Sequence, residues 1–163
     1  MIAFAVPEAA PQLRTKLAEP ALVVADFGPV HIVVYERDPE IETIDRAMRF
    51  QRELHDSLGR SLSLVTLVKA GLNMPESDVR QHSAKLMRDN ASWVNSAAVV
   101  VPESGLWTSA VMSVMAGLNL LSRASIPLRM FTDRGKASAW TLTHGDLPMA
   151  WQAPLESALA DLW

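Results

Sequence analysis

The chain contains no cysteine. That one absence excludes a disulfide scaffold, a thiolate metal site and a cysteine nucleophile. Glycine is sparse as well. The seven glycines are scattered, and neither G-x-G-x-x-G nor G-x-x-x-x-G-K-[ST] occurs, so no glycine-rich loop is available to cradle a phosphate. Neither sign of charge is in large excess: 18 acidic residues against 15 basic ones give a formal net charge of −3. Proteins that wrap nucleic acid by neutralising phosphates carry a net basic surface, so no nucleic-acid partner is expected. Histidine is limited to His31, His55, His82 and His144, and no two lie two, three or four residues apart. The spacing of a helical or strand-borne zinc motif is therefore missing, and no metal or cofactor is expected.

Long uninterrupted apolar runs are lacking too. The most apolar long segment, 106–121, includes Thr108, Ser109, Ser113, Gly117 and Asn119, and reads as a buried helix rather than a membrane span. The opening MIAFAVPEAAP has no lysine or arginine ahead of its apolar stretch, and Pro7 and Pro11 cut that stretch short, unlike a secretory signal. The expectation is a cytoplasmic protein with no membrane span.

What the chain does have is apolar content. Hydrophobic residues make up 49% of its 163 residues and charged residues 20%, a balance that excludes intrinsic disorder. A chain of this length suits a single domain that buries about two-thirds of its extended surface. Residues 1–19 have no clear period. They read as an N-terminal extension, with an edge strand at 2–6 and a linker or short helical turn after it.

A pattern emerges from position 21. Segments 21–27 (ALVVADF) and 30–36 (VHIVVYE) are β-branched and aromatic, and Gly28-Pro29 between them reads as the turn of a hairpin. Asp38-Pro39-Glu40 reads as a helix start with a capping aspartate, and Ile41, Ile44, Met48, Leu54 and Leu58 recur at near-helical spacing until Gly59. A strand at 61–69 is apolar on both faces and should lie centrally. A helix from 75 to about 91, a strand at 94–101, a helix at 106–123, a short strand at 127–132 and a helix at 134–143 capped by Asp133 follow. A domain over 20–146 and a C-terminal amphipathic helix within 147–163 complete the chain. The order β-β-α-β-α-β-α-β-α implies an α/β fold: a mixed, mainly parallel sheet of five or six strands flanked by helices.

Three stretches, VVADFGPVHIVVYERDPEIETID, SLSLVTLVKAGLNMPESDVR and IPLRMFTDRGKASAWTL, resemble the sulfate-transporter and anti-sigma-factor-antagonist (STAS) superfamily. The nearest likeness is to its SpoIIAA-like branch. The likeness extends over about residues 20–143 and consists of hydrophobic patterns rather than signatures. It implies a non-enzymatic regulatory module that works through a protein partner or self-association, with small hydrophobic ligand or lipid binding as the alternative. Anti-sigma antagonists carry an Asp-Ser-Ser-Gly phosphoacceptor after the central strand. The matching stretch here, positions 69–77, lacks it. Ser77 is left as a possible phosphoacceptor in a first helical turn, or as an ordinary helix-start serine flanked by repelling Glu76 and Asp78.

The loops that follow the third and fourth predicted strands point to a contact surface of Asn73, Met74, Glu76, Ser77, Ser104, Leu106 and Trp107, because open α/β sheets bind at that end. Ser104 also raises a serine-hydrolase reading with His144 and Asp133 or Asp146, although Pro102 and Leu106 replace both glycines of a nucleophile elbow; its plain alternative is a helix cap. His31, between apolar neighbours, reads as a buried neutral histidine. The helix bearing Trp107, Met112 and Met115 reads either as a buried central helix or as one with an interface strip. The ligand-binding alternative requires an enclosed apolar pocket beneath it, lined by Trp107, Met112 and Met115.

Overall fold

The computed structural model describes residues 8–102 and 105–163. Six strands form one sheet whose spatial order equals the chain order. They are β1 (Leu13–Ala18), β2 (Leu22–Phe27), β3 (Val30–Tyr35), β4 (Leu62–Val68), β5 (Val94–Val100) and β6 (Leu128–Phe131). The first three form an antiparallel meander, and β3 to β6 run parallel. Gly28, at φ 56°, turns the β2–β3 hairpin. Each parallel step crosses over through one helix: α1 (Ile41–Leu58), α2 (Ser77–Asp89) and α3 (Gly105–Ser122). Parallel crossovers share one hand, and the strands advance in one direction, so all three helices fall on one face of the sheet. The last helices, α4 (Arg134–His144) and α5 (Gln152–Asp161), joined by a short 3-10 turn at Met149–Trp151, cover the other face.

Side chains alternate between these faces along each strand. Val30, Ile32, Val34, Val65, Leu67, Ala98 and Val100 pack against Ala137, Leu142, Trp151, Leu155 and Leu159 of α4, the 3-10 turn and α5. This is the larger core. On the opposite face α1 seals Leu22, Val24 and Val33 with Ala47. Val99, Val101 and Val111 form a smaller cluster with Trp107 and Met115 near α3. The apolar β4 does lie centrally, between β3 and β5.

Four expectations need amendment or fall outside the described residues. Residues 13–18, read as linker or helical turn, form strand β1, held to β2 by antiparallel pairing. Its sequence, LRTKLA, alternates weakly and leaves four of six residues exposed, so periodicity alone did not mark it. The strand expected at 2–6 lies outside the described residues. Asp38 does not cap α1: the N-cap is Glu40, with no side-chain cap bond. α3 is not buried all round, since Leu106 is 92% exposed and Leu120 80%. By length and composition α3 is long and apolar enough to cross a membrane, the one such helix among the described residues.

Candidate functional site

Between the sheet and the layer of α1, α2 and α3 lies an apolar cavity of about 230 Å³. The sheet contributes His31, Val33, Leu64, Thr66, Ala97 and Val99. The helices contribute Ile44, Met48 and Gln51 from α1, Val79 and Leu86 from α2, and Trp107, Val111, Met115 and Leu118 from α3. The hollow follows from the packing: α2 rests mainly on α3 rather than on the sheet. The strands beneath offer short side chains such as Ala97 and Thr66, so the space is not filled from below.

Met112, expected beside Trp107 and Met115 as pocket lining, is instead 53% exposed on the outside of α3. A helix of 3.6 residues per turn sets positions 111, 115 and 118 on one side and 112 on another.

The loops expected to form a contact surface do meet. Trp107 Nε1 donates to the Leu72 carbonyl at 2.9 Å, joining the start of α3 to the loop after β4. Asn73 in that loop donates through its backbone nitrogen and its side-chain Nδ2 to the two oxygens of Asp38, each at 2.7 Å. These bonds hold the Asp38 carboxyl below its usual range, the Asn73 side chain contributing most. Asp38 therefore ties the loop before α1 to the loop before α2. Met74 and Asn73 border the cavity, Asn73 at an exposed position, and Glu76, Ser77 and Leu106 are exposed. Ser77 is the first residue of α2, and its hydroxyl accepts from Gln81 Nε2 at 3.2 Å. Ser104 lies outside the described residues, so neither the helix-cap nor the nucleophile reading of it is carried further. His144 is engaged otherwise: Nδ1 lies 2.9 Å from the Trp140 carbonyl, and the ring leans on Trp140.

The remaining histidines separate by environment. His55 lies over Trp93 with centroids 4.7 Å apart, and His82 pairs with Asp45. His31 is buried, as its apolar neighbours implied, but it has a partner that had not been singled out. Asp26 and His31 are directly opposed in the β2–β3 register, and His31 Nδ1 lies 2.9 Å from Asp26 Oδ1. Their exposures are 1% for His31 and 3% for Asp26. His31 Nε2 is buried with no hydrogen-bond partner, and so is Nε2 of Gln51. Both residues line the cavity. The signal for the pair was in the sequence: a two-residue turn at Gly28-Pro29 sets 27 opposite 30 and 26 opposite 31. Gln51 gave no such signal, because one polar residue on a helix reads as exposed until its neighbours are known. Among the described residues no three His, Asp or Glu side chains gather as a metal site.

No family model matches the chain, and comparison with curated proteins and with solved structures returns no match. What the coordinates define is a single α/β domain with a mixed, mostly parallel six-stranded sheet flanked by five helices.

Proposed function

We propose that this protein is a non-catalytic binding module that takes a small apolar ligand into the cavity beneath α3. The observation that carries the reading is the hollow itself: about 230 Å³, apolar-walled, bordered by Trp107, Val111 and Met115. A dry cavity of ~150 Å³ accepts benzene. By proportion this one suits a molecule of about ten non-hydrogen atoms, which favours a small ring compound or short chain over a diacyl lipid. The ligand reading is the second of the two functions that the STAS-like resemblance implies.

The test uses ethylbenzene as probe. Binding is expected to raise the melting temperature and to change the Trp107 emission. At a hundredfold excess over Kd the gain is about 2.7 kcal/mol, several degrees for a chain of this size. Ala97→Met, which fills the hollow from the sheet side, is expected to abolish both responses. Absence of any response in the native protein overturns the reading.

A second reading rests on a separate observation. The outer side of α3 carries Leu106, Met112, Leu120 and Leu121, all more than half exposed, on a helix without one charged residue. Such a strip suits contact with a second copy of the chain, in keeping with the regulatory role the resemblance implies.

A further inference from the structure

The two unpartnered nitrogens give the cavity a chemical preference. A carboxylate only accepts hydrogen bonds, so in the Asp26–His31 pair the ring donates through Nδ1. A neutral imidazole then keeps its lone pair on Nε2, which accepts. Gln51 Nε2 can only donate. Both nitrogens are buried without a hydrogen-bond partner, and both belong to residues that line the cavity. Buried polar groups are nearly always paired, and one left alone costs more than a hydrogen bond gains.

We infer that the ligand of this cavity is an apolar molecule bearing a single hydroxyl, which donates to His31 Nε2 and accepts from Gln51 Nε2. A hydroxyl is one donor and an acceptor in one atom, so it carries the complement of each group. A pure hydrocarbon fills the volume and leaves both unpaired. A carboxylate adds a second negative charge beside buried Asp26 and has no proton for Nε2. Its one attraction is Arg80, the only cation along the wall among the described residues, whose Nη1 already donates to the Pro75 carbonyl at 3.2 Å.

This inference rests on the cavity reading above, and the probes separate the two: ethylbenzene reports on the hollow, and benzyl alcohol, its hydroxyl isostere, reports on the polar pair. In a wholly apolar site the hydroxyl loses about tenfold or more, because its own desolvation is not repaid. Here benzyl alcohol is expected to bind the native protein at least as tightly as ethylbenzene. Gln51→Met preserves length and removes the donor. It is expected to weaken benzyl alcohol by about tenfold relative to ethylbenzene. Replacing His31 strands Asp26 and endangers folding, so His31 is read in the native protein. Its Nε2 nitrogen resonance is expected to move with benzyl alcohol and to stay with ethylbenzene.

Equal effects of Gln51→Met on both probes, or a resonance indifferent to benzyl alcohol, overturn the inference while the hollow stands. So does benzoate binding tighter than either probe and lost in Arg80→Met, which makes the site an anion site. If no probe binds, the inference and the cavity reading fall together.

Discussion

At the scale of single residues, three positions carry consequences that can be measured. Gly28 is held at φ 56°, and a Cβ there would come within 2.7 Å of Pro11 Cγ. The left-handed conformation alone costs a non-glycine residue about 1–2 kcal/mol. Gly28→Ala is therefore expected to destabilise by at least that amount in urea denaturation, with the slope unchanged. Tyr35 is the chain's one tyrosine, so its titration is unambiguous. Burial raises the phenol well above its usual value near 10. A raised acid stabilises the fold below the unfolded pKa and loses that contribution as pH climbs past it. Phenolate absorbance is thus expected to appear only together with unfolding above about pH 10, and a free titration of the native protein near pH 10 contradicts this. Asp38 behaves in the opposite sense. Its lowered carboxyl contributes above the ordinary range near 4 and stops contributing as acid is added. Residue-level signals were unevenly legible in the sequence. Asp133 caps α4 as its position implied, its Oδ1 accepting from the Lys136 backbone nitrogen at 2.7 Å, and Gly59 ends α1 at φ 61°. Asp38 looked equally like a cap and is a loop tie instead, because its partner Asn73 is 35 residues away and local pattern carries no such information.

Among the elements, α3 departs most from its sequence pattern. Apolar residues all round a helix normally mean burial on all sides. Here one side meets the cavity, and the other side, with Leu106 and Leu120, is exposed. Periodicity reports how apolar a face is and cannot say what covers it. If the outer strip joins a second copy, Leu106→Lys with Leu120→Lys is expected to shift sedimentation to a single-chain species. Thermal stability at low protein concentration should change by no more than about 0.5 kcal/mol, as for other exposed sites. An unchanged sedimentation pattern removes the strip from the account. β1 is the reverse case, an element hidden from sequence because its edge position exposes four of its six residues and leaves alternation weak. Strands β3, β4 and β5 were legible because each is largely covered on both faces and reads as a near-continuous apolar run.

Across the whole molecule the two faces of the sheet differ in cohesion. The α4–α5 face is close-packed, with Leu142, Leu155 and Leu159 all at 0% exposure. The α1–α3 face borders the cavity. Local opening free energies follow packing, so amide hydrogens of α2 and α3 are expected to exchange well before those of α4 and the central strands. Ethylbenzene should slow the first set selectively. Uniform exchange across both layers is the result that counts against it.

The strand order has a temporal corollary. Each new strand joins the one completed just before it, so the sheet can grow by accretion as the polypeptide emerges, with little waiting for distant sequence. The exception is the closing clasp: Trp151 donates its indole Nε1–H to the Glu8 carbonyl at 3.0 Å, across 143 positions. That latch forms only once residue 151 has been made, which leaves one flank of the half-made sheet without its cover until α4 and α5 arrive.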